Sequence, residues 1–139
     1  MTVITKRVVL SSEGEGEMIN LTEDVTKSLG TTGIKNGIVT IFVAGSTGAV
    51  TTIEYESGLR KDFPAMLQRI APNGIFYEHD ERWRDGNGHS HVRSSLIGPS
   101  LTVPFCEGKL ILGTWQQIVF VELDVRRRTR ELILQIIGD

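Results

Sequence analysis

From residue 91 onward the chain is a succession of short apolar segments, and this succession restricts the fold more than any other feature. Residues 91–97, 100–105, 109–112, 116–124 and 130–137 read as strands, separated by Gly98-Pro99, Glu107-Gly108 and Arg126-Arg127-Arg128. Segments this short suit strands better than helices, and the glycine and proline between them mark turns. Glu107-Gly108 fits a two-residue hairpin turn. So many strands in sequence must bury their apolar faces against one another, which predicts packed sheets.

The first half adds helices. Residues 3–11 alternate in character and predict a half-buried strand. Leu21, Val25 and Leu29 recur every four residues, the stripe of an amphipathic helix. Asn20 with Glu23 resembles a capping box, and Gly30 a stop. After a Gly33–Gly37 turn, Ile38-Val39-Thr40-Ile41-Phe42-Val43 is a continuous β-branched and aromatic run, as in a strand buried on both faces. Leu59, Phe63, Met66, Leu67 and Ile70 predict a second helix, with Pro64 forcing a fresh start inside it. Ala71-Pro72-Asn73-Gly74 ends it. The expected fold is α+β, β-rich packed sheets with about two helices, in one domain spanning 1–139.

Composition closes off several classes. A net charge of −2 argues against a partner that is nucleic acid, bound by phosphate neutralisation. The single cysteine, Cys106, permits no internal disulfide and reads as a small hydrophobe. No apolar run approaches the ~20 residues needed to cross a bilayer, and Met1–Leu10 lacks the apolar core of a signal peptide. A soluble, cytoplasmic protein without a membrane partner is expected.

The chain's three histidines, His79, His89 and His91, fall between positions 79 and 91, among Glu78, Asp80, Glu81 and Asp85. If Ser90 is extended, His89 and His91 share a strand face. With His79 they would supply the three protein ligands of an open zinc site. A polar loop without a metal is the other reading of the same residues. Four further groups carry weaker signals. Gly45-Ser46-Thr47-Gly48 follows a buried strand and offers backbone amides to a phosphate, or is an ordinary turn. Glu54 and Glu56 flank Tyr55 and present either a metal ligand or general base, or solvated carboxylates. Trp115, beside Thr114 and Gln116, is a pocket wall, a core residue or a subunit contact. Arg126, Arg127, Arg128 and Arg130 suit a phosphate or a solvated hairpin tip.

Read together, Ile38–Val43, Gly45–Glu54, Tyr77-Glu78-His79, His91–Leu101 and Gly108–Gln116 resemble the YjbQ-like family, described as secondary thiamine-phosphate synthase. The likeness runs over almost the whole chain, and Gly113-Thr114-Trp115-Gln116 after Gly98-Pro99-Ser100-Leu101 is its most specific part. The resemblance implies a small α+β protein of packed sheets, assembled as a homotrimer. It also implies a weak activity joining hydroxymethylpyrimidine diphosphate to a thiazole phosphate with release of pyrophosphate. On this basis His91, Glu54 and His79 are candidate catalytic residues. Ser46, Thr47, Thr114, Trp115, Gln116 and Arg93 are candidates for binding a phosphorylated small-molecule substrate. His79, His89 and His91 are candidate ligands of a divalent metal, zinc or magnesium. A metal-dependent phosphohydrolase and a metal- or metabolite-binding protein without turnover remain the alternatives.

Overall fold

The computed structural model describes residues Met1–Asp139. Its strands are β1 (Thr2–Ser12), β2 (Met18–Asn20), β3 (Gly37–Val43), β4 (Gly48–Ile53), β5 (Ser100–Cys106), β6 (Lys109–Leu110), β7 (Gln117–Glu122) and β8 (Arg128–Gly138). Its helices are α1 (Thr22–Gly30), α2 (Leu59–Ile70), α3 (Glu78–Trp83) and α4 (Gly88–Ile97). The strands form a five-stranded sheet, in the order β1-β8-β3-β5-β6, and a three-stranded sheet, β2-β7-β4. All pairings are antiparallel. The α+β architecture built of packed sheets is the one expected.

The two sheets face each other across a core that joins Val39, Ile41, Val43, Leu132, Leu134 and Ile136 to Val50, Ile118 and Phe120. Strand β7 is buried on both sides: Ile118 and Phe120 point into this core, whereas Val119 and Val121 join Leu67 of α2 in a second cluster. The layers therefore run large sheet, small sheet, then α2 and α4, while α1 packs into the core shared by the two sheets. The stripe Leu21, Val25, Leu29 is fully buried in the first core. Asn20 accepts the Thr22 amide at 3.0 Å, while Glu23 turns outward to Lys27 rather than closing a capping box.

Three expectations are corrected. Residues 91–97 are helix α4, not strand. Its buried face consists of His89, Ser90, Arg93 and Ser94, and its larger apolar residues Val92 and Leu96 are exposed, so no apolar stripe at helical spacing betrays it. With α3 it raises the helix count to four. Pro64 lies inside the continuous helix α2 and starts nothing anew. That helix begins instead where Glu56 accepts the amides of Gly58, at 2.7 Å, and Leu59. Strands β2 and β4 went unread because one is three residues long and the other follows directly on the Gly45–Gly48 turn. No helix is long and apolar enough to cross a membrane.

Candidate functional site

Strand β7 leaves the sandwich through Glu122-Leu123-Asp124, two carboxylates on alternate positions of an apolar run. Both are fully buried. Glu122 accepts Nε and Nη2 of Arg130 at 2.9 and 2.5 Å, the Ser12 hydroxyl at 2.6 Å and the Asp124 amide at 3.0 Å. Ser12 and Arg130 belong to the large sheet, so this bidentate pair ties the two sheets together. Arg130 also donates to the Thr47 hydroxyl at 2.9 Å, and that hydroxyl meets Asp124 at 3.3 Å. Burial pushes the Asp124 carboxyl upward, but the Arg128 guanidinium, the Val125 amide and Asn87 more than reverse this and hold it below its ordinary value.

Across from Asp124 lie α3, the 84–87 turn and the start of α4. Arg84 adopts a left-handed conformation (φ 57°) and closes α3, its amide bonding Asp80 at 2.8 Å. Gly88 opens α4 pressed against Tyr77: a Cβ there would lie 2.6 Å from the tyrosine Cβ, and only glycine permits that approach. The Gly88 amide fixes the Asp80 carboxylate at 2.9 Å. Asn87 holds the helix N-cap position without capping it. Its amide nitrogen donates to one carboxylate instead, Asp124 at 3.3 Å in one orientation or Asp85 at 2.9 and 3.2 Å in the other.

His79 and His91 meet at the centre, ring centroids 4.3 Å apart and tilted by 39°. His79 Nδ1 is buried without a hydrogen-bond partner and lies 3.6 Å from Asp80 Oδ1 and 3.7 Å from Asp85 Oδ1. The potential ligand atoms of these three residues all lie within 4.8 Å of one another. One nitrogen and two carboxylate oxygens form a donor set that suits zinc better than magnesium, which prefers oxygen alone. Burial, and then the neighbouring His79, push the His91 imidazole below its ordinary value of 6.5. His91 is therefore neutral at neutral pH.

A histidine with a lowered folded-state pKa takes up its proton later on acidification than the unfolded chain does. Its contribution to stability is complete above about 6.5 and declines as pH falls from there through the folded-state value. An NMR titration of the metal-free protein will place the His91 midpoint below 6.5. In His79→Ala that midpoint will move up; an unchanged or lower one would mean that the two rings do not interact.

The other candidates divide between two ends of the small sheet. Ser46 and Thr47 precede β4 at the histidine end. Glu54, Thr114, Trp115 and Gln116 lie at the opposite end, because β4 and β7 pair from Gly48↔Glu122 to Ile53↔Gln117. Six residues of strand separate the ends by ~20 Å. There Glu54 lines a cavity with Tyr55, Thr114 and Trp115, and Trp115 is 72 % exposed, so it is no core residue. His89 does not join the other histidines, since its Nε2 sits 2.6 Å from Glu15. Arg93 is buried, bonding Glu15 at 3.1 Å, Gln68 at 2.9 Å and the Ala71 carbonyl at 2.9 Å. The assumption of an extended Ser90 fails, and with it the shared face of His89 and His91. Sequence reasoning missed Asp80, Asp85, Asn87, Glu122 and Asp124 as a group. Two acidic residues spaced by two in an apolar strand were the signal available for the last pair.

Residues 6–139 match the family model described as UPF0047 protein YjbQ-like. A UPF0047 protein of Methanothermobacter thermautotrophicus is 40% identical over 130 residues, 94% of this chain and 90% of its own length. The UPF0047 protein YugU of Bacillus subtilis is 33% identical over 135 residues, 96% of this chain and 98% of its own length. The crystal structure of a YbjQ-like protein of unknown function from Sulfolobus solfataricus aligns with a TM-score of 0.92 at 34% identity, covering 99% of both chains.

Proposed function

We propose, from the premise that the chain belongs to the UPF0047 YjbQ-like family, that the cluster between α3, α4 and Asp124 is a metal-assisted site for a phosphorylated small molecule. The observation that carries this reading is the buried, unpartnered Nδ1 of His79, facing two carboxylates beside a neutral His91. A buried ring nitrogen without a partner is costly unless something binds it. His79, Asp80 and Asp85 are the residues to hold a divalent ion, and Gly88 keeps Asp80 oriented toward it. Such an ion, when bound, offsets charge on a phosphate or diphosphate group.

Within this class we favour the thiamine-phosphate synthase-like reaction implied by the family resemblance. The thiazole nitrogen attacks the methylene carbon of hydroxymethylpyrimidine diphosphate, the C–O bond breaks, and pyrophosphate departs with the electron pair. This joining step needs no base. The neutral His91 favours a second reading, phosphate ester hydrolysis, in which the imidazole takes the proton of an attacking water. Incubation of zinc-loaded protein with the diphosphate, with and without the thiazole phosphate, separates the two. Pyrophosphate that appears in step with thiamine phosphate, and only with both substrates, supports joining. Release that is indifferent to the thiazole supports hydrolysis. No turnover of either kind rejects both.

We also propose a homotrimer. The outer face of the large sheet carries the row Val3–Ile137–Ile38–Pro104, fixed by register and covered by no element of the chain. Val3 and Ile38 are 58 % and 41 % exposed, and Phe42 lies further along the same face. Light scattering is expected to give three times the chain mass, and Ile38→Glu to lower it with unchanged circular dichroism. A wild-type monomer at micromolar concentration rules the trimer out.

A further inference from the structure

Arg130 has more donors than its partner Glu122 uses. The guanidinium carries five N–H groups. Nε and Nη2 engage Glu122, the Thr47 carbonyl and the Thr47 hydroxyl, at 2.5–3.1 Å. None of these bonds involves Nη1. That nitrogen lies over Gly45, where a Cβ would stand 3.1 Å from it. Gly45 has ordinary backbone angles, so turn geometry does not demand glycine here. Its missing side chain leaves Nη1 open to a cleft of about 540 Å³, lined by the segment 43–47 on one side and by residues of β1 and β8 on the other.

The charges are arranged to one effect. Arg7, Arg128, Arg130 and Glu131 line the cleft, three cations against one carboxylate. The carboxylates that balance Arg128 and Arg130 are Asp124 and Glu122, both buried behind the guanidinium groups. Arg7 and Glu131 pair on the open side. The exposed Ser46 stands on the facing wall, in the segment 43–47. A structural ion pair uses one edge of a guanidinium. Here the second edge is held rigid by Glu122 and Thr47 and directed at open space.

We propose that this cleft binds a phosphoryl group, with Arg130 Nη1 as its fixed donor and Ser46 and Arg7 at its rim. Preset donors recognise phosphate oxygens well because no side-chain ordering is needed on binding. The proposal deepens the function proposed above by placing the substrate's phosphate, and rests on it only for the identity of the molecule that carries the group.

The probes are inorganic phosphate and pyrophosphate, titrated calorimetrically into metal-free protein so that the histidine cluster cannot bind them through an ion. Saturable binding is expected, accompanied by a rise in Tm. Gly45→Val, which fills the space in front of Nη1, and Arg7→Gln, which removes an exposed charge, are each expected to weaken it at least ~10-fold with unchanged circular dichroism. Asp85→Asn is expected to leave it alone. No saturable binding of either anion overturns the proposal. So does binding that survives Gly45→Val and Arg7→Gln, or that is lost with His79→Ala. Zinc retention reports separately on the histidine cluster, so the failure of one reading does not imply failure of the other.

Discussion

Arg130→Met is expected to lower the free energy of unfolding by about 3–5 kcal/mol, read from the urea midpoint at unchanged slope. The cost lies less in the attraction lost than in what is left behind. Glu122 is inaccessible to solvent and would keep only the Ser12 hydroxyl and the Asp124 amide as partners. A buried carboxylate in that state must be desolvated without a counter-charge or take up a proton. In a domain of this size the drop in Tm is ~10 °C or more. Glu122→Gln is expected to act in the same direction, stranding the guanidinium. The double variant Arg130→Met/Glu122→Leu removes both charges and is expected to be more stable than either single variant, since apolar groups of similar volume often replace a buried pair without loss. A cost below ~1 kcal/mol for Arg130→Met would mean that the pair does not join the sheets as described.

His79→Ala is expected to reduce zinc affinity at least ~100-fold and any turnover by a similar factor, because a ligand is removed and not merely an outer hydrogen bond. Its effect on stability runs the other way. The buried Nδ1 has no partner in the metal-free protein, so alanine relieves an unsatisfied group and Tm is expected to hold or rise. His89→Ala provides the contrast. His89 is buried against Glu15 at 2.6 Å, so its loss is expected to lower Tm while zinc affinity stays as it was. If instead His89→Ala removes the zinc and His79→Ala unfolds the chain, the metal lies elsewhere.

What the sequence revealed follows from where burial is apolar. The stripe Leu21, Val25, Leu29 and the segments Ile38–Val43, 100–105 and 130–137 were each read correctly as helix or strand, but Ile38–Val43 buries only one face and not two, since Ile38 and Phe42 are exposed on the other. Helix α4 was not legible because the face it buries is made of hydroxyls, an imidazole and a guanidinium. The imidazole, the guanidinium and the Ser94 hydroxyl are satisfied by Glu15, Gln68 and main-chain carbonyls distant in sequence, the Ser90 hydroxyl is buried without a partner, and no local pattern announces such an arrangement. The candidate site was half visible. The proximity of His79 and His91 was anticipated from their clustering, but a strand was assumed where a helix turn does the work, and the turn sends His89 to the other side. Glu54 looked like a neighbour of the histidines only while the length of β4 was unknown.

Strand β7 also limits how chains of this fold can diverge. Packed between layers on both faces, Ile118–Val121 has no side chain free to meet a ligand, and a saturation library is expected to tolerate few changes there. Just beyond it, one hydroxyl, that of Thr47, contacts both Arg130 of the cleft and Asp124 of the histidine cluster. A substitution at Thr47 would therefore be felt in two places at once. Novelty in what such a protein handles has to enter through the exposed positions of segments 44–46, 78–87 and 125–128, which can vary without disturbing the layers beneath.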